Sequence, residues 1–163
     1  MSNANNNAFP TLRTDRTISD VLRWQELKEK GLAGMTDAER AEWSAGMKGA
    51  YNASDMNRVG AAIKYIADRF AAFGYAVSVN PRTDWSMQEI PSAQQIQAYL
   101  ENVRILRELV CVFRTTPNVP PDMDRLDYNE ANHIEQILSD LNIILNNIAA
   151  DWYYSGEVYS GEV

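Results

Sequence analysis

Apolar residues recur at alternating spacings of three and four along three long segments of the chain, which is the spacing of an amphipathic α-helix. These stripes predict long helices near 54–73, 92–113 and 128–151. The apolar positions of the last stripe are Ile134, Ile137, Leu141, Ile144 and Ile148. The sequence therefore predicts a mainly all-α protein, with little sheet.

Two shorter helical patterns precede the long ones. The first begins after Thr17, a good N-cap residue, and ends at Gly31. The second begins at Thr36, which has Glu39 three residues later in capping-box spacing, and Ser92 with Gln95 has the same spacing at the start of the second long helix. The segment "YAVSV", residues 75–79, alternates in polarity and predicts either one short strand or an extended connector.

The three long stripes need an apolar partner surface, and they can supply it to one another. We therefore expect a three-helix antiparallel bundle within one chain, with the two short helices packed across it. A trimer built through the same stripes is the alternative. A length of 163 residues favours a single domain, which we place at residues 14–153.

Both ends of the chain differ from the predicted domain. Residues 1–13 are polar and rich in Asn, which predicts an arm that is flexible unless a partner orders it. Residues 154–163 repeat YSGEV twice, and the glycine of each repeat disfavours helix. We expect the chain to leave the last helix near Trp152 or Tyr153 and to continue as an extended tail. The alternative is a disordered acidic tail that aids solubility.

Aromatic and apolar residues of the two ends, with two tryptophans, are candidates for contacts between proteins, because Tyr and Trp are enriched at interfaces. The candidates are Phe9, Trp85, Trp152, Tyr153, Tyr154, Val158, Tyr159 and Val163. In an assembly, the repeats would add to a neighbour as an extended strand. The alternative for the tryptophans is that they close the ends of the helical core, each with its indole N–H near water.

The charge balance excludes some partners. The net charge is −7 at pH 7, whereas nucleic acids and anionic membranes attract clustered Lys and Arg, so we expect neither as a partner. The first residues lack the pattern of a signal peptide, and no apolar run approaches the length of a membrane span. The single cysteine, Cys111, lies within "ELVCVF" and is predicted to be a small buried hydrophobe.

Motifs that carry chemistry are absent from the sequence. His133 is the only histidine, it has no nucleophile-elbow serine or cysteine to serve, and we interpret it as a surface or boundary residue. The acids of "PDMDRLDYNE" fail the calcium-loop pattern, since Asp127 and His133 occupy the positions that need Gly and Glu. Asp127 is instead a plausible helix cap. No two carboxylates stand out as a pair, so we predict no catalytic, metal or cofactor site.

Several segments together resemble a known family. They are "WSAGMKGAYNASDMNRVGAAIKYIADRFAAFGYAVSV", "TDWSMQEIPSAQQIQAYLENVRILREL", "LDYNEANHIEQIL" and "WYYSGEVYSGEV". The set is similar to virion-associated proteins of tailed bacteriophages and prophages of Gram-positive bacteria, often described as minor structural or tail proteins. The resemblance covers roughly residues 14–163, and its most specific parts are the Tyr-Asn…Asp-x-Asn-Arg-Val element and the Tyr-Ser-Gly-Glu ending.

The resemblance implies a place in the tail region of a virion and synthesis in the bacterial host cytoplasm, and it supplies no catalytic residues. Our first hypothesis is a non-enzymatic phage structural protein that joins a tail, baseplate or fibre as several copies among other virion proteins. The second is a host-recognition module whose exposed aromatics stack on cell-wall sugars. The third is a cell-wall hydrolase, which would need a pocket with paired carboxylates or a metal.

Overall fold

The computed structural model of the chain describes residues 8–157, with side chains described as far as Trp152. The helices in this range are α1 (Ile18–Gly34), α2 (Asp37–Ser44), α3 (Ala53–Ala72), α4 (Ala93–Glu108) and α5 (Tyr128–Glu157). No strand occurs among the described residues, and "YAVSV" is a connector. The predicted all-α class is confirmed.

Helix starts follow the capping residues. Thr17, Thr36 and Ser92 cap α1, α2 and α4 as the sequence predicts, each through a side-chain bond reciprocated three residues later. The cap of α3 is Asn52, whose side chain accepts from the backbone N–H of Ser54. These bonds satisfy backbone N–H groups that have no partner within the helix, so they fix where each helix begins.

Helix ends agree less well with the predictions. Helical geometry breaks at Gly31, where φ is +66°, as predicted, but helix resumes to Gly34. α4 ends at Glu108 rather than near 113, because the connector folds back and Arg107 donates to the carbonyl of Pro117 over 2.9 Å. Cys111 therefore lies beyond the helix and is exposed, so its predicted burial is wrong.

α5 runs for 30 residues and carries the first YSGEV repeat as far as Glu157. The predicted exit from the helix near Trp152 is therefore wrong, and so is an extended conformation for residues 154–157. A single glycine in the last turn costs only about 1 kcal/mol, which the neighbouring helix formers tolerate. The remaining predicted contact residues of the tail, Val158, Tyr159 and Val163, lie outside the described residues.

The main core lies where α3, α4 and α5 pack on one another. Its fully buried side chains include Val59, Ile63, Ile66, Phe70, Leu100, Val103, Leu106, Ile134, Ile137, Leu138, Leu141 and Leu145. Ile134, Ile137 and Leu141 of the predicted last stripe are among them, whereas Ile144 and Ile148 of that stripe are only partly buried. The antiparallel order of the three helices stays a prediction.

The N-terminal arm does not stand apart from this core. Phe9 and Leu12 pack against it, and the Phe9 ring lies 5.3 Å from that of Tyr65 between centroids. A flexible arm is therefore the wrong description of residues 8–13, because the core itself orders them. Residues 1–7 lie outside the described range.

α1 and α2 pack on each other and form what we call the N-terminal lobe, residues 18–47. Its separate small core consists of Leu27, Met35 and Met47, with Trp24 and Trp43 packed at its edge. The lobe meets the chain entering α3 at Gly49, where an added Cβ would overlap the backbone carbonyl of Asp20. That close approach needs a residue without a side chain.

Candidate functional site

A groove with a volume of about 1030 Å³ runs along one side of the described chain. α1 contributes Ile18, Val21 and Trp24 to its lining, and the residues before and at the start of α3 contribute further side chains. The rest comes from the segments 85–97 and 122–131, which lead into α4 and α5. The groove therefore lies where the N-terminal lobe meets the main core.

The lining of the groove is rich in flexible apolar side chains. Met56, Met87 and Met123 all line it. Met87 is 73% exposed and Ile18 is 53% exposed. Ile90, which lies between the lining residues Glu89 and Pro91, is 94% exposed. Methionine adapts its shape to different partners, and exposed apolar groups clustered at a concave surface mark interaction sites.

The charged residues that line the groove are mostly acidic. Asp122, Asp124 and Asp127 come from the loop before α5, with Arg125 among them. The carboxylate of Asp122 accepts from the backbone N–H of Asp124 over 3.0 Å. Asp127 caps α5, as predicted, by accepting from the N–H of Glu130 over 2.8 Å. These bonds hold the carboxylates in place at the edge of the groove.

A buried charge cluster adjoins the groove. The Nη2 atom of Arg16 lies 2.9 Å from Asp55 Oδ1 and 2.6 Å from Glu135 Oε1. The Nη2 atom of Arg58 lies 2.5 Å and 2.7 Å from the same two oxygens. The carboxylates of Asp55 and Glu135 are fully buried. The cluster joins the residue before α1 to α3 and α5.

Backbone bonds extend this connection into what we call the strap, residues 13–16. The N–H of Arg13 donates to Glu135 Oε2 over 2.7 Å. Asn132 accepts from the N–H of Arg16 over 3.0 Å and donates to the Arg16 carbonyl over 2.9 Å. The strap is therefore fixed to α5 by both side-chain and backbone groups, and it sets where α1 begins.

Two tyrosines complete the polar network. The hydroxyls of Tyr51 and Tyr99 lie 2.5 Å apart, and the guanidinium of Arg16 lies 5.4 Å from the centroid of the Tyr51 ring. Burial raises the pKa of both phenols above the ordinary value, so both stay neutral at physiological pH.

Burial alone would lower the pKa of Arg58, but its bonds to Glu135 and Asp55 outweigh burial and raise it.

Asp55 and Glu135 form a carboxylate pair that the sequence analysis missed. Both are engaged by guanidinium groups and hidden from solvent, so the arrangement resembles a structural ion cluster more than an acid/base pair. The Asp-x-x-Arg spacing of Asp55 and Arg58 is a local signal for half of the cluster. Nothing local connects Arg16 with Glu135, because the two are 119 residues apart.

Trp85, a predicted contact residue, is only 7% exposed and belongs to the main core. Its backbone N–H donates to Asn57 over 2.7 Å, its carbonyl accepts from Asn57 over 2.9 Å, and Arg82 lies over its ring. The side chain is therefore mostly buried, because Asn57 draws the segment inward, and its predicted contact with a partner stays a prediction. Its indole Nε1 is buried and has no hydrogen-bond partner among the described residues.

Among the other predicted contact residues, Phe9 and Trp152 have described side chains. Trp152 is 63% exposed, with its ring centroid 5.6 Å from that of Phe73, and Phe9 is partly buried against Tyr65. Neither Phe9 nor Trp152 lines the groove. The side chains of Tyr153 and Tyr154 lie outside the described ones.

The described residues hold no group of three or more His, Cys, Asp or Glu side chains placed to bind a metal ion. His133 is exposed. None of the helices in the described range combines the length and apolarity that crossing a membrane requires.

Comparison of the chain with protein-family models, with curated proteins and with solved structures found no match.

Proposed function

We propose that this chain is a non-enzymatic structural protein of a bacteriophage virion. It acts as a helical module that joins a tail, baseplate or fibre by docking against other virion proteins and further copies of itself. The observation that supports docking most directly is the groove of about 1030 Å³ with exposed apolar side chains along it. The assignment to a tail comes from the resemblance of the sequence segments.

Exposed apolar groups on the groove segments favour a protein partner. Ile90 and Met87 are among the most exposed large apolar residues of the described chain. Each square ångström of apolar surface removed from water contributes about 25 cal/mol to association. A neighbour that covers these side chains gains that stabilisation, whereas a free chain leaves them in water.

The wall of the groove is built to keep its shape. Arg16 and Tyr51 line the groove and also belong to the buried polar network. The buried ion pairs and hydrogen bonds of this network hold its members in one geometry, although the Nε of Arg16 has no hydrogen-bond partner among the described residues. A preformed surface loses less conformational entropy on docking, which suits a part that functions by shape.

Recognition of cell-wall sugars is the second candidate. The observation in its favour is Trp152, which is the one exposed tryptophan of the four and lies beside the exposed Asp151. Sugar platforms need an exposed aromatic ringed by polar groups, and Trp24, Trp43 and Trp85 are at least partly buried. A cell-wall hydrolase ranks last, since the carboxylate pair found here is sealed from solvent.

The test is incorporation into particles. Particles induced from the strain that carries the gene are purified, and the protein is located by mass spectrometry and by labelling in electron micrographs. We expect label at the tail, and we expect Met87→Asp to reduce incorporation about ten-fold, because Met87 lines the groove and is exposed, so the change places a charge on a surface that a neighbour covers. Leu32→Asp is the matched control, since Leu32 is also exposed but lies outside the groove.

Normal incorporation of Met87→Asp would remove the docking role from the groove. Absence of the protein from purified particles would overturn the virion assignment as a whole. Binding of isolated cell walls that Trp152→Ala abolishes would favour sugar recognition instead.

A further inference from the structure

We infer that the groove receives a peptide segment of a partner protein in which apolar side chains are flanked by lysine or arginine. This inference rests on the proposed docking function and adds the chemistry of the partner. It depends on the charge at the edge of the groove, on its apolar lining and on one buried donor in its wall.

The charge comes from the loop before α5. Asp122, Asp124 and Asp127 line the groove, and Arg125 is the one cation among the residues of that loop that line it. The remaining charged lining residues are already neutralised, since Glu89 lies 2.8 Å from Arg82 and Arg16 lies within the buried cluster. The edge therefore carries an excess of negative charge, within a chain of net charge −7. Charge complementarity selects a cationic partner and speeds its encounter.

The apolar lining of the groove favours apolar side chains in the peptide segment that binds there. Met56, Met123 and Ile96 line the groove, together with the exposed Met87 and Ile18. The volume of about 1030 Å³ is at the upper end of the range for small-molecule pockets, so the groove holds several side chains of a peptide. Methionine-rich grooves bind the apolar face of amphipathic segments, and flanking basic residues then reach the acidic edge.

Trp85 supplies an independent observation. It lines the groove, it is 7% exposed, and its indole N–H has no acceptor among the described residues. A buried donor without a partner is costly, by about 1–3 kcal/mol. A peptide segment offers carbonyl groups that accept such a bond, whereas a purely apolar occupant does not.

The chain's own terminal segments do not fit this surface. Residues 153–163 contain Glu157 and Glu162 and no Lys or Arg, so their charge has the same sign as that of the groove edge. Residues 1–7 contain no charged side chain at all. A second copy docked through either segment would leave the aspartates without a counter-charge. The occupant is therefore a segment of a different protein.

The experiment uses two synthetic amphipathic peptides as probes. They share the same leucine positions, and one carries Lys where the other carries Glu. Affinity for the full-length chain is measured by anisotropy of a dye on the peptide at low and at physiological salt. We expect the Lys peptide to bind at least about ten-fold more tightly than the Glu peptide, and to lose that advantage as salt rises.

Matched variants locate the binding. Asp122→Asn with Asp124→Asn should weaken the Lys peptide about five-fold or more. Glu29→Gln with Glu108→Gln removes the same charge from exposed positions outside the groove and should leave the affinity unchanged. Met87→Ala should weaken both peptides, since it removes apolar contact without a change of charge. Circular dichroism of each variant confirms that it is folded before binding is measured.

Equal affinity for the two peptides, preference for the Glu peptide, or no binding below about 100 µM would each overturn the inference. The inference would also be overturned if the groove variant and the control variant weakened binding of the Lys peptide equally. In that case only the net charge of the chain would determine the affinity. These failures differ from failure of the proposed function. If Met87→Asp blocks incorporation into particles while the peptides show no charge preference, docking stands and the partner chemistry is wrong.

Discussion

The main core and the N-terminal lobe are both helical, but they are held together by different means. The core buries whole stripes from α3, α4 and α5, whereas the lobe buries only Leu27, Met35 and Met47. Apolar burial is the largest favourable term in folding, so most of the stability belongs to the core. The lobe depends on its attachment to the core and is the less stable wall of the groove.

The ion pairs of the two regions also differ, because those of the core are buried and those of the lobe are near solvent. In the core, Asp55 and Glu135 are paired with arginines out of contact with water. In the lobe, Arg23 and Glu42 pair at 2.8 Å and Lys30 and Glu39 at 2.7 Å, both near solvent. Water screens exposed pairs, so their contribution is small, whereas a buried charge that loses its partner is strongly destabilising. Ion pairs with similar distances between nitrogen and oxygen therefore contribute very different amounts to the stability of the fold.

The largest expected effect tests the buried charges. Glu135→Gln removes one of the two carboxylates that face Arg16 and Arg58, and it should lower the free energy of unfolding by about 3–5 kcal/mol. Urea denaturation measures the change. Glu108→Gln, an exposed position on α4, is the control and should change stability little. A loss below about 1 kcal/mol would show that the cluster is dispensable.

The next effect tests the apolar core. Leu141→Ala should lower the free energy of unfolding by about 2–5 kcal/mol, because its side chain is fully buried among the three long helices. Ile143→Ala, two positions along the same helix, should cost much less, since Ile143 is about half exposed. Denaturation followed by circular dichroism compares the two. Equal losses would mean that the inward face of α5 is assigned wrongly.

A smaller effect tests the junction between the regions. Gly49→Ala places a Cβ against the backbone of Asp20, so either the lobe shifts or the variant is destabilised by about 1–3 kcal/mol. Hydrogen exchange should show increased opening in α1 and α2 and little change in α5. Gly34→Ala, where the nearest neighbour is the flexible Lys30 side chain, is the control. Uniform exchange changes across the chain would contradict a separable lobe.

The smallest effect tests the surface charges. The hydrogen bond from Lys30, helped by the N–H of Thr36, lowers the pKa of Glu39 from 4.5 to about 2. A depressed folded-state pKa stabilises the lobe above pH 4.5, and that contribution is lost as the pH falls toward 2. NMR titration of the Glu39 carboxyl measures the pKa directly.

Lys30→Met should return that pKa toward 4.5, whereas Lys28→Met, which leaves the pair intact, should not. An unchanged value in Lys30→Met would show that the backbone of Thr36 alone holds the carboxylate charged.

The sequence predicted those parts of the fold that depend on local chemistry. Periodic apolar positions identified the helices and the buried faces, and the caps Thr17, Thr36 and Ser92 fixed three helix starts. The end of α4 was missed because Arg107 bonds to the connector after the helix, which is a tertiary contact. The end of α5 was missed because a glycine near a helix end is only a weak breaker.

Most of the candidate site could not be predicted from local patterns in the sequence. The groove takes its lining from four separate segments, and its apolar residues alone resemble ordinary loop positions. The charge cluster joins Arg16 to Glu135 across most of the chain, and spacing contains no signal for such a pair. The sequence left open whether Trp85 contacts a partner or closes the core, and the bond that draws it inward comes from Asn57, 28 residues earlier in the chain.

The distance along the chain between Arg16 and Glu135 also determines the order of events at the ribosome. Glu135 is added 119 residues after Arg16, which is about 6–24 s at ordinary rates of translation. Asp55 follows Arg16 by only 39 residues, but Glu135 does not yet exist during that interval. The N-terminal strap therefore reaches its native place among the last parts of the molecule, although it is among the first to be synthesised. The groove, which includes Arg16 and the first residues of α5, is complete only after α5 has emerged.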